Sequence, residues 1–244
     1  MGSKWKRIAL VAGIALVVLA GIIALVIFVG IPAAKYGKAG SLEKKGDIPG
    51  AYEAYDRMDD YRNAQGTKQK LQDAVIASRS ASTMEFGGYK WLILEERDGK
   101  ALLLMEEAFE LRTYHPELTE VGWENCALRK WLNGPFYESL TDKDRVQETA
   151  VINGSNAQYG TKGGNDTKDR VFLLSLAEAN LYFRDNAARV ARKNGTNQFW
   201  WLRSPGMESI LASIVTSDGS LGFAGSAVNS NARAVRPALW VTMQ

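Results

Sequence analysis

The sequence predicts an α+β domain with an antiparallel sheet, preceded by one transmembrane helix and a short helical hairpin that would serve as a stalk. Three observations lead there. No charged residue occurs from Ile8 to Ile31, and about twenty apolar residues suffice to cross a bilayer as a helix. From Lys35 to Ala77 the chain turns polar, with apolar residues at helical spacing. Beyond Ser82, apolar strand-like blocks come first and last with helical patterns between them, the order of an α+β domain.

Lys4, Lys6 and Arg7 precede the apolar run and favour a cytoplasmic tail over residues 1–7, with the span at 8–31. A cleaved signal peptide shares the basic start, but its apolar core is only about 7–15 residues long and ends in a small-x-small site. Ile31-Pro32-Ala33-Ala34 offers no such site. The expectation is therefore an uncleaved anchor in the cell membrane, with the rest of the chain extracytoplasmic. Lys35, Lys38, Lys44 and Lys45 on the far flank weaken the orientation argument and suit contact with anionic headgroups of the bilayer.

Within the expected stalk, 35–77, Gly46-Asp47 divides two helical patterns. The second places Ala51, Tyr52, Tyr55, Met58 and Tyr61 on one face. Gly46-Asp47-x-x-x-Ala51-x-x-x-Tyr55 resembles the centre of a tetratricopeptide repeat. A solenoid needs about three repeats to bury a continuous core, so a tetratricopeptide-like stalk is expected instead. Ser78 to Thr83 is small and polar, a linker into the main domain at 82–244.

That domain opens with strands at Lys90–Glu96 and Ala101–Met105, joined across Arg97-Asp98-Gly99-Lys100 by a favoured hairpin dipeptide. Leu128, Trp131 and Leu132 follow a helical spacing that should stop at Asn133-Gly134-Pro135, because a residue before proline avoids the helical conformation. Val146 to Asn153 reads as a short strand and Gly154 to Lys168 as a surface loop; its glycines lack the Gly-Lys-Ser/Thr order of a phosphate loop. Val171 to Leu174 reads as a buried strand. Ser175-Leu176-Ala177-Glu178 is a capping box that starts a helix towards Phe183, continued as broken helix from Arg184 to Lys193. The last quarter should hold three or four strands, with turns at Asp218-Gly219 and near Asn229 to Asn231.

Two blocks frame this last quarter: Phe199-Trp200-Trp201-Leu202-Arg203-Ser204-Pro205-Gly206 and, about thirty residues on, Val235-Arg236-Pro237-Ala238-Leu239-Trp240. Tyr89-Lys90-Trp91, the run from Trp123 to Asn133, and Asp169 to Ser175 precede them in order. Together these motifs resemble a bacterial domain family without an assigned biochemical function. Its members are similar to C-type-lectin-like domains, a fold shared with formylglycine-generating enzymes and the variable proteins of diversity-generating retroelements. The resemblance covers about residues 82–244. It implies a C-type-lectin-like fold in which the first and last strands pair, leaving the 204–233 face pointing away from the membrane. In the retroelement proteins the corresponding region carries the ligand-binding residues.

Composition narrows the chemistry. From Ala81 to Gln244 there are 18 Lys and Arg against 20 Asp and Glu, so the basic excess lies nearer the N-terminus and nucleic acid is not an expected partner of the domain. Cys126 is the only cysteine and excludes an internal disulfide. Formylglycine-generating chemistry relies on a cysteine pair, which ranks that enzyme type third. His115 is the only histidine, so neither a His-rich metal site nor a conventional triad around a second histidine can be built. The calcium signatures of classical lectins, Glu-Pro-Asn, Gln-Pro-Asp and Trp-Asn-Asp, are absent. Asn165, Asp166 and Asp169 fall short of the six or more oxygens such a cation takes. No catalytic residue, metal or cofactor is expected.

The tryptophans read as core. Trp200 and Trp201 are adjacent, however, and successive strand residues face opposite ways, so Trp201 is kept as a candidate for stacking on a sugar. Arg203 and Arg236 read as structural. The expected ligand-binding set is Glu208, Ser217, Asp218, Ser220, Phe223, Asn229, Asn231 and Arg233 together with Trp201, a mixture of donors, acceptors and an exposed aromatic suited to an adaptable binding face. The function expected is a membrane-anchored extracytoplasmic module that recognises a glycan or protein ligand through 204–233. The alternative is a structural or regulatory envelope protein acting through its span and stalk.

Overall fold

A computed structural model describes residues 30–58 and 61–243. Apart from Gly30 and Ile31, the expected span therefore lies outside the described residues. No helix among those described is long and apolar enough to cross a membrane. The chain forms two compact units that divide between Gln69 and Lys70.

The first unit contains α1 (Ile31–Lys44) and α2 (Ile48–Asp56). The break at Gly46-Asp47 lies where the sequence places it: Asp47 caps α2, its carboxylate accepting the Gly50 N–H at 3.0 Å. Ala51, Tyr52, Tyr55 and Met58 are all buried, the face given by their spacing. Tyr36 of α1 packs edge-on against Tyr55, ring centroids 5.3 Å apart. A third helix, α3 (Ala64–Ala77), runs through the division between the units. The division falls inside this helix, before the expected end of the stalk at 77. The cause is Gln72, whose buried amide donates to the carbonyls of Asn180, Leu181 and Phe183 at 3.3, 3.1 and 3.2 Å and so belongs with the second unit.

The second unit is α+β. It begins with the meander β1 (Thr83–Phe86), β2 (Tyr89–Arg97) and β3 (Lys100–Met105). Asp98 and Gly99 both have positive φ, 50° and 69°, which makes the type I′ turn that matches strand twist. Next come α4 (Ala127–Trp131), a π turn over Leu132–Phe136 and α5 (Tyr137–Ser139). The expected stop at Pro135 does not occur. A π turn is wider than an α turn and takes in a proline whose missing N–H would break α-helical bonding. Asn133 anchors the turn, donating to the carbonyls of Arg129 and Val171 and accepting from the N–H of Arg170.

The predicted strand at Val146–Asn153 is two short ones, β4 (Val146–Gln147) and β5 (Thr149–Val151); β6 (Thr167–Asp169) pairs with β5, and β7 (Val171–Phe172) follows. The capping box at Ser175 and Glu178 forms and starts α6 (Leu176–Leu181). Of the stretch expected as broken helix, Arg184 to Lys193, α7 (Asn186–Arg189) is helical, while its end is the first strand of a hairpin, β8 (Ala191–Lys193) and β9 (Thr196–Gln198). Its Asn194-Gly195 turn has φ of 50° and 78°, the same chemistry as Asp98-Gly99. Four strands complete the chain: β10 (Trp200–Pro205), β11 (Leu211–Val215), β12 (Leu221–Ala227) and β13 (Ala238–Thr242).

The main sheet runs β1-β2-β3-β13-β4, with β7 also pairing β13, while β10-β11-β12 form a separate antiparallel sheet. The last strand therefore pairs with β3, β4 and β7 and not with β1, which corrects the expected pairing of first and last strands. Ala238 to Val241 is apolar without alternation and wholly buried, the pattern of a strand covered on both faces.

Candidate binding surface

The 204–233 segment is built on the β10-β11-β12 sheet, whose first strand is buried from Trp200 to Ser204. Trp200 and Trp201 are both 0% exposed, so the expected stacking role of Trp201 is corrected. Its other face is covered too: Nε1 donates to the Arg112 carbonyl at 2.8 Å, and the Tyr114 ring lies 5.7 Å away. Sheet faces alternate, but in a strand with packing on both sides neither face reaches solvent.

The remaining candidates fall at two places. Leu211 pairs with Ala227 and Val215 with Leu221, so the 216–220 turn closes one end of the β11-β12 hairpin and residues 207–210 and 228–233 lie at the other. A strand rises about 3.3 Å per residue, which separates the ends by roughly 13 Å. At the first end, the Asp218 carboxylate accepts from the Ser220 N–H at 3.1 Å and from the Thr216 hydroxyl. These bonds, that of Thr216 first, hold its pKa below the ordinary carboxylate range. The turn is docked on α7. Asn186 Nδ2 donates to Ser220 Oγ at 3.0 Å, and Arg189 Nε donates to the Gly219 carbonyl at 2.8 Å. A Cβ on Gly219, where φ is +85°, would stand 1.8 Å from the Asn186 oxygen. Ser217 and Ser220 are half-buried here and Asp218 exposed.

At the second end, Glu208, Asn229 and Asn231 are exposed. Arg233 is half-buried, its guanidinium 4.9 Å from the Phe199 ring centroid and donating to the Ala232 carbonyl. Phe223 belongs to neither end. Ile214 pairs with Gly222 but Ala212 with Ser226, so β12 bulges between them, and Phe223 sits half-buried on that bulge.

Sequence reasoning missed what surrounds the second end. Leu111, Leu118, Tyr159 and Met207 are 43% to 55% exposed and account for most of the large apolar side chains that the described residues leave open. Their segments are hydrogen-bonded to these loops. The Arg112 N–H donates to the Arg233 carbonyl, that of His115 to Val228, and that of Val121 to Ser209. The Thr161 hydroxyl donates to the Met207 carbonyl at 2.8 Å. Gly154 to Lys168 is also more than a surface loop: the buried Asn156 amide donates to the carbonyls of Pro205, Gly206 and Phe223 at 3.0, 3.2 and 2.7 Å, fixing Tyr159 and Met207 beside each other's loops. Isolated apolar residues in polar segments carry no periodicity, so no sequence signal singles them out.

A family model described as Domain of unknown function (DUF6273) matches residues 98–243. The chain belongs to this family. No curated protein and no solved structure matches it. The DUF6273 match starts at the β2-β3 turn, yet β2 pairs with β3 along its length; the folded unit thus extends beyond the matched span and includes the residues from Lys70 onward.

The acidic and amide groups of the 153–169 segment of the DUF6273 domain are engaged in its packing. Asn165 donates to Glu124, and Asp166 accepts the Asn153 N–H at 2.8 Å. Asp169 is buried against Trp123, Thr167 and Arg129. Among the described residues no three His, Cys, Asp or Glu side chains are grouped to hold a metal. His115 Nδ1 accepts the Ala127 N–H at 3.3 Å, and Nε2 lies 3.1 Å from Glu117.

Cys126 is wholly buried, its sulfur accepting the Arg129 N–H at 3.3 Å at the start of α4. Burial pushes its pKa up to about 12, and that of the buried Tyr114 hydroxyl is likewise raised by burial. Both folded-state values exceed the unfolded ones, so the stability they contribute is present below the ordinary thiol range and lost as pH rises through it towards about 12. Denaturation series from about pH 8 to about pH 11 should show stability falling with pH. Iodoacetamide should label Cys126 only after unfolding, and rapid labelling of the native protein would contradict this assignment.

Proposed function

We propose that residues 82–244 form a non-catalytic binding module of C-type-lectin-like type, held outside the cell membrane by the apolar segment 8–31, which captures a macromolecular ligand at the Glu208 and Asn229 end of the β10-β12 sheet. One observation carries this reading: the exposed Leu111, Leu118, Tyr159 and Met207 lie on segments tied to loops bearing Glu208, Asn229, Asn231 and Arg233. Exposed apolar groups rimmed by polar ones mark interaction surfaces. The mixture favours a protein surface, with a glycan the other class to be tested. The Asp218 turn is assigned a structural role, since its partners belong to α7. The non-catalytic reading is supported by Cys126, whose thiol is buried and protonated.

The test is photo-crosslinking from Asn229 in the full chain displayed on cells, alongside binding to a glycan array. Leu118→Ser, Met207→Ser and Asn229→Ala together should weaken capture by about 100-fold or more, as expected when three interface anchors worth about 1 kcal/mol or more each are truncated. Asp218→Ala should leave capture unchanged. Equal loss in Asp218→Ala would move the site to the other end of the hairpin, and undiminished capture by the triple variant would overturn the reading.

A further inference from the structure

A cleft outside the 204–233 segment is independent of the reading above. It opens, with a volume of about 430 Å³, between the start of β2, the segment after β3 and the turn of the β8-β9 hairpin, within the roughly 300–1,000 Å³ typical of small-molecule sites. Its walls are aromatic and charged. Tyr89 and Phe109 meet edge-on with ring centroids 5.5 Å apart, and Phe136 backs both. Lys90, Glu106, Glu107 and Lys193 supply two cations and two anions. The segment is anchored from beneath: Arg236 donates to the carbonyls of Met105 and Glu106 at 2.9 and 3.0 Å, and the Ala108 N–H donates to the Arg192 carbonyl at 2.9 Å. Such anchoring makes the cleft a pre-formed feature, as ligand sites usually are.

The charges differ in how far they are already committed. Lys90 and Glu106 pair with each other, Nζ to Oε2 at 2.9 Å. Lys193 donates only to the Phe109 carbonyl, and Glu107 makes no ion pair among the described residues. One ammonium and one carboxylate of the lining are therefore outside any direct ion pair, Glu107 acting on Lys90 only through space. A wholly anionic ligand would meet two carboxylates, and a wholly cationic one two ammonium groups, which makes either unfavourable. A molecule carrying both charges meets neither penalty.

We propose that this cleft binds a small zwitterion, a free amino acid or short peptide with both termini free. Its carboxylate would lie on Lys193, its ammonium on Glu107 and its side chain on Tyr89 and Phe109. Charge-assisted bonds are about twice as strong as neutral ones, so the two termini set recognition and the aromatic wall adds sequence-tolerant affinity.

Calorimetric titration of the full chain in mild detergent with L-alanyl-L-phenylalanine, its C-terminal amide and its N-acetyl form tests this. The free dipeptide is expected to bind at least about ten-fold more tightly than either blocked form, one decade per lost charged contact. Lys193→Met should abolish discrimination against the amide while keeping that against the N-acetyl form, and Glu107→Gln should do the reverse. Lys193→Arg should restore the wild-type pattern. The proposal is overturned if the dipeptide gives no heat at millimolar concentration, if the three ligands bind alike, or if either variant keeps the discrimination it should lose. Should Lys193→Met fail to fold, the comparison of the three ligands on the wild-type chain still decides the outcome.

Discussion

Replacing Arg203 with leucine is expected to destabilise the second unit by about 3–5 kcal/mol, the usual cost of removing one member of a buried ion pair. In a domain of this size that corresponds to a fall in Tm of roughly 10 °C. The guanidinium is buried and donates to the carbonyls of Leu173 and Ile152 at 2.7 and 3.0 Å, and to both oxygens of Glu178, with Nη2 to Oε1 at 2.8 Å. Glu178 is at the same time the second half of the capping box on α6, accepting the Ser175 N–H at 2.7 Å. Leucine would leave a nearly buried carboxylate without its cation and two carbonyls without a donor. The double variant Arg203→Leu, Glu178→Leu should recover part of the loss, because the stranded charge is gone. A single variant that melts within 2 °C of wild type would show that the pair carries little of the fold's stability.

Arg236 shows the other way a buried arginine is held. It touches no carboxylate, only the carbonyls of Met105, Glu106 and Arg189, with the Trp200 ring 5.0 Å away. Burial lowers its pKa to about 9, still above neutral pH, so it remains a cation. The two arginines join the last quarter of the chain to the segments before it: Arg203 ties β10 to the residues just after β5 and β7 and to α6, and Arg236 ties the approach to β13 to the end of β3. Their structural reading from sequence rested on position inside the two aromatic blocks, and the geometry gives each a set of acceptors.

What was legible follows from which interactions are local. The Asp98-Gly99 hairpin, the Ser175 and Glu178 capping box and the buried face of α2 each involve residues a few positions apart, so type and spacing suffice. Asn194-Gly195 carries the same local signal as Asp98-Gly99, but after the helical Asn186 to Arg189 it reads equally well as a helix stop. Pro135 misled because a local rule for α-helices was applied where a π turn relieves the clash. The position of β13 at the centre of the main sheet is a long-range fact; only the absence of alternation in Ala238 to Val241 hinted that both faces were covered. The binding surface was half legible. Polar loop residues between two rigid blocks drew attention to 204–233, but the hairpin register splits them between two ends. The apolar partners come from 111–121 and 156–161, far away in sequence.

Asp169→Ala is expected to cost about 3 kcal/mol, by removing a buried carboxylate that pairs the half-buried Arg129 and satisfies the buried Trp123 indole N–H. Read as a loop residue, Asp169 resembles a hydrated carboxylate; in the fold it is 1% exposed and serves three donors. Trp123 Nε1 donates to it at 2.9 Å, the Thr167 hydroxyl at 2.7 Å and Arg129 Nε at 2.6 Å. Arg129 also donates to the Glu124 carbonyl at 2.9 Å and that of Lys168 at 3.2 Å, so one carboxylate organises the start of α4, the 123–125 turn and β6. Alanine removes all three bonds, whereas asparagine keeps an acceptor and loses only the charge. Asp169→Asn should therefore fall between alanine and wild type, by about 1–3 kcal/mol, the range for losing a charged hydrogen bond. Trp123 supplies a direct readout, since its indole N–H loses its partner. Thermal melts followed by tryptophan fluorescence should rank the three proteins in that order. If asparagine proved as damaging as alanine, charge and not bond count would be what holds Arg129 in place; if alanine were neutral, the 123–169 network would have to be discarded as a source of stability.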